Sequence, residues 1–423
     1  MTNNRIVITG MGIVAPNAHG LIDFEDALRG AKSGIRFQKK LQELNFSCQV
    51  AGIPENIDKL KSDYFASDQL IAMSDSMVFA AIAAIDCWKD AGLLIRNDID
   101  PDWDTGAIIG TGISGVDILG DKVIPLVNER HVRRLGSTII EQAMSSASSA
   151  NIAGILGLGG EVTSVSSACT TGTEAIALAY FFVKSGRFKR MLAGSTEGIS
   201  PYIWAGFDSM HVLAKDFNHA PDKASRPLSA TAHGFVPAGG AGALMVESLE
   251  SALARNARIY AEIIGAEVNC GGQRHGGSIT APNSVGVQRC IQNAVKSANI
   301  APSEIDMING HLTATKSDTI EIFNWQQALG LEPASFPYIN STKSLIGHAL
   351  GAAGSIEIVG CILQLINGFI HASINCEDLH PRLTAFENRI VRKTIMSPIR
   401  TIAKASFGFG DVNACLIFRK WYE

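Results

Sequence analysis

The sequence predicts a layered α/β fold in which strands and helices alternate along the chain. Short β-rich segments are separated by segments whose apolar residues recur at helical spacing. Of the 423 residues, 46% are hydrophobic and only 18% are charged, which is typical of a large buried core. The 41 glycines indicate many tight turns. Together these observations favour a mostly parallel sheet covered by helices, and the length favours two or three domains.

The predicted strands are short runs of aliphatic or β-branched residues, and helical patterns fill most of the gaps between them. The strands are 5–9, 106–109, 162–166, 190–193, 243–246, 258–264, 306–309, 338–341, 401–405 and 414–418. The helices are 74–91, 171–184, 284–298, 319–329 and 354–366. A further helix near 141–156 is built from Ala, Ser and Gly, which suits close packing in the interior or at a subunit contact.

Bulk properties argue against several classes of partner. The formal charge of −4 is too small to favour nucleic acid. The apolar run that begins at Met77 ends at Asp86, about nine residues on and short of a membrane span, and the first residues have no signal-peptide pattern. The eight cysteines are scattered without a C-x-x-C pair, which argues against a disulfide or zinc framework and favours the reducing cytoplasm.

Two glycine motifs could indicate a dinucleotide site. "GMGIVA" begins at Gly10 and "GTGISG" begins at Gly110, each after a predicted strand. A phosphate-binding loop should open directly into a helix, yet Pro16 and Asn17 follow the first motif and Gly120 and later Pro125 interrupt the second. We therefore interpret both motifs as structural turns.

Cys169 lies where a predicted strand turns into a predicted helix, in "VTSVSSACTTGTEAIALAYFFVKSG". A thiol on the first helical turn faces the positive end of the helix dipole, which favours thiolate and predicts a lowered pKa. The backbone N–H of Cys169 would point outward, where it could stabilise an oxyanion. The alternative is that Cys169 is one more small buried hydrophobic residue.

Two histidines and one glycine-rich segment strengthen the first interpretation. His311 follows a predicted strand in "MINGHLTAT", and His348 lies before a glycine-rich helix start in "INSTKSLIGHALGAAGS". Near a helix N-terminus protonation is disfavoured, so we expect His348 to remain a neutral hydrogen-bond donor. In "ASFGFGDVNA", glycines permit close backbone approach while Phe407 and Phe409 could wall a tunnel, although a β-bulge with core phenylalanines is the alternative.

These segments, in this order, resemble the elongating β-ketoacyl-acyl-carrier-protein synthases. The likeness runs from "RIVITGMGIVAP" through "SSACTTG", "KASRPLSATAHGFV", "ARIYAEIIG", "GHLTAT" and "STKSLIGHALGAAGSIE" to "SFGFG". The resemblance implies a thiolase-like α/β fold, with two similar halves stacked as a five-layered αβαβα body that is usually dimeric. The halves would be 1–253, with the nucleophile, and 254–423, with both histidines.

The resemblance also implies a role for each matching residue. Cys169 would carry the acyl chain, while His311 and His348 would drive decarboxylation and condensation. The remaining matches are Lys343 and Glu321 for the network around the imidazoles, Thr313 and Thr315 for the phosphopantetheine arm, the N–H groups of Cys169 and Phe409 for the oxyanion hole, Phe407 and Phe409 for the tunnel wall, and Ile113 for the bend of the acyl pocket.

The implied reaction is a decarboxylative Claisen condensation in fatty-acid or type II polyketide synthesis. The acyl chain is held as a thioester on Cys169 and joined to malonyl-acyl carrier protein, which gives a β-ketoacyl-acyl carrier protein. No metal, nucleotide or other cofactor is expected, because loss of CO₂ drives the new carbon–carbon bond and the substrates arrive on phosphopantetheine. The partners would be an acyl carrier protein and a second subunit, either identical or similar to a chain-length factor.

Some positions depart from the family pattern. Leu312 replaces the usual glycine after the first histidine, and Ala232 and His233 replace a charged pair. Asp411 follows "GFG" in place of glycine. Facing the tunnel it would repel a malonyl carboxylate, but the cost of an unpaired buried charge favours a cap on local backbone amides. These departures suggest a specialised branch, such as polyene or polyketide synthesis.

Charged and polar surface positions suggest where partners bind. Carrier proteins are acidic, so Arg130, Arg133 and Arg134 in "NERHVRRLG" are candidates for a docking rim. Glu141 and Gln142 lie on a helix that in the family reaches the dimer contact and the end of the acyl pocket. A polar pocket end for a partner or an unsaturated chain and an ordinary solvated helix face both fit them.

Four other functions stay open at this point. The chain could be the catalytic subunit of a ketosynthase/chain-length-factor heterodimer. It could be the non-catalytic chain-length partner, but that protein lacks a nucleophile at the position of Cys169. A degradative thiolase would need a second cysteine in a context that Cys415 lacks, and an NAD enzyme would depend on the glycine motifs alone.

Overall fold

A computed structural model describes residues 4–95 and 100–422 of the chain. The strands are β1 Ile6–Ala15, β2 Ala18–His19, β3 Ile35–Phe37, β4 Val50–Gly52, β5 Thr105–Thr111, β6 Val162–Thr163, β7 Arg190–Glu197, β8 Gly240–Ser248, β9 Ala261–Cys270, β10 Met307–Asn309, β11 Tyr338–Asn340, β12 Phe369–Ile370, β13 Ile395–Met396, β14 Thr401–Gly408 and β15 Val412–Lys420.

Helices connect most of these strands. The α-helices are α1 Leu21–Arg29, α2 Lys39–Glu43, α3 Ile57–Tyr64, α4 Ser67–Leu70, α5 Asp75–Asp90, α6 Val116–Ile118, α7 Ile124–Asn128, α8 Ile139–Ala143, α9 Ala147–Leu156, α10 Thr171–Lys184, α11 Pro201–Ser209, α12 Leu249–Ala254, α13 Ser284–Ala298, α14 Ser317–Leu329, α15 Lys343–Ile346 and α16 Ala353–Asn367. Short 3₁₀ turns include Ala168–Thr170 before α10 and Leu350–Ala352 before α16.

The main sheet joins two halves that repeat one strand order. Its path is β11-β10-β14-β15-β9-β1-β8-β7-β5-β6, with β2 beside β1. We number the five strands of each half in chain order, which are β1, β5, β6, β7 and β8 in the first half and β9, β10, β11, β14 and β15 in the second. From the outer edge of the sheet to its centre, the strand order of both halves is then 3-2-4-5-1. The first strands of the halves pair antiparallel where they meet, with Ile6 opposite Ile263. The prediction of two similar halves is confirmed.

The sheet is mixed, so the prediction of a mostly parallel sheet is wrong. The parallel pairs of the main sheet are β5–β6, β5–β7, β10–β11 and β10–β14. The remaining pairs, β1–β2, β1–β8, β1–β9, β7–β8, β14–β15 and β9–β15, are antiparallel. Helical crossovers produce parallel neighbours, but β15 follows β14 after only a tight turn, which reverses the chain.

The layers are arranged helix, sheet, helix, sheet, helix, as the resemblance implies. Helix α5 covers β1 and β8 on one outer side, and α13 covers β9 and β15 on the other. Each half of the main sheet forms one strand layer. Between these two layers, α10 and α16 pack directly on each other and contact strands of both halves. Their close approach depends on glycines, since a Cβ on Gly354 would lie 2.4 Å from Thr173 N and one on Gly172 would lie 2.5 Å from Ser355 N.

The first glycine motif is neither a phosphate loop nor a turn. Gly10 and Gly12 lie inside the buried strand β1, with a register shift between Ile8 and Gly10. A Cβ on Gly12 would lie 1.9 Å from the carbonyl oxygen of Ala83, so the glycine is needed for α5 to approach the strand. In the second motif, Gly110 also lies in a strand, β5.

Two further sequence predictions are corrected by the structure. The predicted helix at 141–156 is two helices, α8 and α9, which meet at an extended Met144. The segment Leu350–Asn367 is long and apolar enough to cross a membrane, which the sequence analysis overlooked. However, 89% of this segment is buried inside the fold, because it forms the central α16 and the turn before it.

Candidate active site

Cys169 lies on the 3₁₀ turn that leads into α10, at the centre of the molecule. The turn is held by Thr171, whose hydroxyl donates to the carbonyl of Ala168 (2.7 Å) and accepts from the N–H of Ser167 (2.9 Å). The backbone N–H groups of Cys169 and Phe409 both face the sulfur. These are the two donors that the sequence analysis assigned to an oxyanion hole.

The predicted low pKa of the nucleophile is wrong for the resting enzyme. Burial raises the pKa of Cys169 to about 12, opposed by the charge of Lys343 and the two N–H groups and reinforced by Glu197. Desolvation of a thiolate therefore outweighs the helix end. Cys169 is a neutral thiol at rest and has to lose its proton as it attacks.

The two histidines lie beside the sulfur. The Cys169 sulfur and one ring nitrogen from each of His311 and His348 all lie within 4.8 Å of one another. The ring centroids of the histidines are 5.4 Å apart and the rings are nearly perpendicular, at 85°. Three donors this close could also share a metal ion, but they equally place a nucleophile beside two imidazoles.

Both imidazoles are held in the neutral state. Burial lowers the pKa of His311 and of His348 well below 6.5, and the positive charges of Lys343 and Lys404 lower them further. The expectation that His348 stays uncharged is confirmed, although the main cause is burial. The Nδ1 atoms of both rings are buried and have no hydrogen-bond partner among the described residues.

A buried carboxylate orients the loop that carries His311. The side chain of Glu321 accepts the backbone N–H groups of His311 (2.6 Å) and Leu312 (2.7 Å). Trp325 Nε1 donates to the same carboxylate at 3.4 Å. Burial raises the pKa of Glu321, while those N–H groups and the charge of Lys343 oppose the shift. Glu321 therefore positions His311 through the backbone.

Lys343 pairs with an acid that the sequence analysis missed. Its Nζ lies 2.5 Å from Oε1 of Glu357, and both side chains are buried. A second lysine, Lys404, lies 2.9 Å from the other oxygen of Glu357 and is also fully buried. A sequence signal existed, because Glu357 interrupts an apolar helix and Lys404 interrupts the apolar strand "TIAKAS".

A cavity of about 490 Å³ opens onto these groups. The predicted site residues that line it are Cys169, His311, His348, Thr313, Thr315, Glu321, Phe407 and Phe409. The hydroxyls of Thr313 and Thr315 lie 3.1 Å apart. Their loop is oriented by Asp318, another residue that sequence reasoning missed, which accepts the N–H of Thr313 (2.9 Å) and of Ala314 (3.2 Å).

Other predicted site residues lie outside this cavity. Ile113 is 45% exposed and does not line it, so its part in an acyl pocket stays a prediction. The N–H of Ile113 donates to Glu197 at 3.3 Å. Arg130, Arg133 and Arg134 are exposed on and beside the turn Val132–Arg134, and they too do not line the cavity.

The structure decides the alternatives for Asp411 and for Gln142 that the sequence left open. Asp411 is fully buried and accepts the N–H groups of Gln273 (2.8 Å) and Asn283 (2.9 Å), so it caps local amides as the cost of a buried charge favoured. Gln142 is buried and donates to the carbonyl of Ile71 at 2.9 Å, whereas Glu141 is exposed. Gln142 is therefore not on a solvated helix face, whereas both alternatives stay open for Glu141.

The fold and the site together define an acyl-transferring condensing enzyme. Residues 3–252 match the N-terminal domain of β-ketoacyl synthase and residues 260–377 match its C-terminal domain. The chain belongs to the β-ketoacyl synthase family.

Known proteins similar to this chain cover nearly its whole length. The 3-oxoacyl-[acyl-carrier-protein] synthase 1 of Haemophilus influenzae is 33% identical over 421 residues, which is 99% of each protein. Among solved structures, the ishigamide ketosynthase/chain length factor is 26% identical with a TM-score of 0.88, covering 99% of this chain and 100% of that one. The solved complex of a type II polyketide acyl-carrier protein with its ketosynthase bound to the hexaketide contains a chain that is 28% identical to this one. Its TM-score is 0.86, and the match covers 99% of this chain and 100% of that one.

Proposed function

We propose that this enzyme joins an acyl chain, held as a thioester on Cys169, to malonyl-acyl carrier protein by decarboxylative Claisen condensation. The observation that carries the proposal is the convergence of the Cys169 sulfur and the nitrogens of His311 and His348 within 4.8 Å, on a cavity lined by Thr313 and Thr315. The product is a β-ketoacyl-acyl carrier protein with two more carbons.

Acyl transfer to Cys169 is the first step. The sulfur attacks the carbonyl of an acyl thioester, and the N–H groups of Cys169 and Phe409 bind the oxyanion. Because the resting thiol is protonated, a neutral imidazole accepts its proton and returns it to the departing carrier thiolate. The thioester on Cys169 is uncharged, so, unlike the thiolate, it carries no desolvation cost in the buried site.

Decarboxylation of the malonyl group is the second step. As CO₂ leaves, the electron pair moves into the thioester and the carbonyl oxygen becomes an enolate. His311 and His348 are neutral, so each can donate one N–H to this oxygen. The enolate carbon then attacks the Cys169 thioester, and collapse of that adduct expels the Cys169 thiolate, which takes up one proton from solvent. The chemistry requires no metal or nucleotide.

The proposed carrier contacts lie at the cavity and on the surface. Thr313 and Thr315 are positioned to bind the phosphopantetheine arm, since their hydroxyls lie on the cavity wall. Arg130, Arg133 and Arg134 would contact the acidic carrier. An acyl carrier protein as the partner is supported by the solved complex of an acyl-carrier protein with a similar ketosynthase.

The proposed organisation is a dimer of two-part subunits in the cytoplasm. The division into 1–253 and 254–423 is supported by the repeated strand order and by the two family domains, which end at residue 252 and begin at residue 260. Exposed apolar side chains around the second glycine motif, among them Ile113, Ile140 and Met144, would face the second subunit and close the acyl pocket.

A second candidate is the catalytic subunit of a ketosynthase/chain-length-factor heterodimer that makes a polyene or polyketide. The likeness to the ishigamide ketosynthase/chain length factor favours it. The non-catalytic chain-length partner is disfavoured, because Cys169 and both imidazoles are present and converge. Purification with and without the products of neighbouring genes, followed by light scattering, separates homodimer from heterodimer.

The decisive test of the proposed chemistry is intact-mass measurement after incubation with acyl-acyl carrier protein. Wild-type enzyme is expected to gain the mass of one acyl group, and Cys169→Ala is expected to gain none. Cys270→Ala is the matched control, because Cys270 is an exposed thiol outside the cavity and its loss should leave the adduct intact. An adduct that persists on Cys169→Ala would overturn the assignment of the nucleophile.

A further inference from the structure

Lys404 is a buried cation beside the condensation site. It lies in the middle of β14, the strand that ends next to Phe409, and its side chain is 0% exposed. Its Nζ lies 2.9 Å from Oε2 of Glu357 and 3.2 Å from the hydroxyl of Ser406, and it also donates to the carbonyl of Ala405.

The cluster around Glu357 contains more positive than negative groups. Lys343 and Lys404 contact opposite oxygens of the one carboxylate, and among the described residues no other acid lies within ion-pair distance of either ammonium group. Burial of a second lysine is strongly unfavourable unless something compensates for it. The single carboxylate is shared, so the pairing within the cluster is incomplete.

The fold itself does not require a charge at this position. The third residues of α10 and α16, Thr173 and Ser355, each bond a serine on the fourth strand of the opposite half, at 2.8 Å to Ser406 and 2.7 Å to Ser195. Lys404 lies two residues before Ser406, and the residue two before Ser195 is Ala193. Glu357 is the fifth residue of α16, and the fifth residue of α10 is Ala175. The equivalents of Lys404 and Glu357 in the other half are therefore both alanine.

We propose that Lys404 is a positioning residue for the condensation, which places a second positive charge behind His311 and His348. This proposal rests on the proposed function. The charge disfavours imidazolium, so both rings stay available as neutral donors, and it favours the anion that forms in front of them. The titratable groups around the two rings are Cys169, Lys343, Lys404 and Glu321, with Glu357 paired to both lysines and Glu197 beside Cys169.

The test compares Lys404→Met with wild type in the pH profile of CO₂ release from malonyl-acyl carrier protein. We expect kcat/KM at pH 7 to fall about tenfold, and the acid limb to move to higher pH by about one unit, since loss of a nearby cation raises the pKa of both histidines. Lys420→Met, on the neighbouring β15, is the matched control, because its Nζ bonds only the carbonyl of Ile366 at 3.0 Å. The control should keep the wild-type profile.

A second readout separates this proposal from the proposed function. The pH titration of the imidazole NMR signals of His311 and His348 reports the effect of Lys404 without any substrate. If wild-type enzyme releases no CO₂ but Lys404→Met still raises both imidazole pKa values, the proposed function fails and the electrostatic role stands. Unchanged titration and an unchanged pH profile in a folded Lys404→Met would overturn the role.

Two further variants test the proposal if Lys404→Met does not fold. Lys404→Arg keeps the charge and Lys404→Gln removes it while retaining a hydrogen-bonding side chain. The proposal requires the arginine variant to keep the wild-type pH profile and the glutamine variant to shift it. If both folded variants behave alike, Lys404 has only a structural role.

Discussion

The two halves of the molecule bring different chemistry to the same frame. In each half, a 3₁₀ turn precedes the central helix and begins with a residue in the left-handed region, Ala168 (φ 51°) before α10 and Leu350 (φ 46°) before α16. The second residue of the turn is Cys169 in one half and Gly351 in the other. One helix end therefore presents a sulfur, and its equivalent presents only a backbone N–H.

The loops after the second strands show the same division. Each is tied by its backbone N–H groups to a buried glutamate. Glu197 accepts the N–H of Gly112 (3.1 Å) and Ile113 (3.3 Å), while Glu321 accepts those of His311 and Leu312. Only the second loop carries an imidazole. The comparison teaches that the repeat fixes where two helix ends and two loops converge. The buried charged groups of the second half then determine which reaction the converging groups can support.

Removal of the second half's imidazoles should have the largest effect. His311→Ala and His348→Ala each take away one neutral donor to the enolate, so decarboxylation of malonyl-acyl carrier protein should fall about 10³-fold. CO₂ release measures this effect. Acyl transfer to Cys169 should fall less, because the remaining imidazole can still accept the thiol proton and the oxyanion is bound by the backbone N–H groups of Cys169 and Phe409.

The control for this prediction is His233→Ala, since His233 is exposed and paired with Asp216 at 2.7 Å. It should decarboxylate at the wild-type rate. Full activity in either cavity variant would remove that histidine from the mechanism.

A methyl group between the two central helices should disrupt the frame itself. Gly354→Ala places Cβ 2.4 Å from the backbone nitrogen of Thr173, which cannot move without shifting α10. We expect the free energy of unfolding to fall by about 3 kcal/mol, as measured by denaturant titration. Gly206→Ala, on α11, meets no atom within 4 Å and should be neutral or slightly stabilising. Equal stability of the two variants would contradict the close packing of α10 and α16.

Replacement of Glu197 tests the glutamate of the first half through pH. Burial raises the pKa of Glu197 from 4.5 to about 7, so its protonated form favours the folded state. This stabilisation is fully present below pH 4.5 and is lost as pH rises through about 7, a change of about 3 kcal/mol. Glu197→Gln cannot titrate at this position, so its free energy of unfolding should not fall with the wild-type value over this range. The difference between the variant and wild type should therefore move in favour of the variant as pH rises from 5 to 8. Parallel stability curves across this range would refute the shift.

Surface charge should have the smallest effect. Arg133→Ala combined with Arg134→Ala should raise KM for acyl-acyl carrier protein a few-fold at low salt, with kcat unchanged, because these exposed residues would only steer and hold the carrier. The difference should vanish as salt rises, since screening weakens the wild-type interaction. Arg274→Ala provides a control, because Arg274 is also exposed. A salt-independent loss of kcat would place the pair in catalysis.

Much of the site could be predicted because its signals are local. Cys169 lies at the junction of two periodicities, and both histidines lie in glycine- and hydroxyl-rich segments next to predicted elements. The predicted helices 171–184 and 284–298 coincide with α10 and α13, since apolar spacing and end residues such as Gly186 depend only on neighbouring residues. The glycines of β1 misled the prediction, because their packing partner is α5, about seventy residues away.

By itself, the sequence determined the alternation of elements, the candidate nucleophile and imidazoles, and the family to which their order belongs. Only the tertiary structure decided the directions of the strands, the ion pairs of Glu357 with Lys343 and Lys404, and the high pKa of Cys169. Strand direction depends on how crossovers and tight turns combine across the whole sheet. Buried ion pairs and desolvation depend on residues that are distant in the chain and adjacent only after folding.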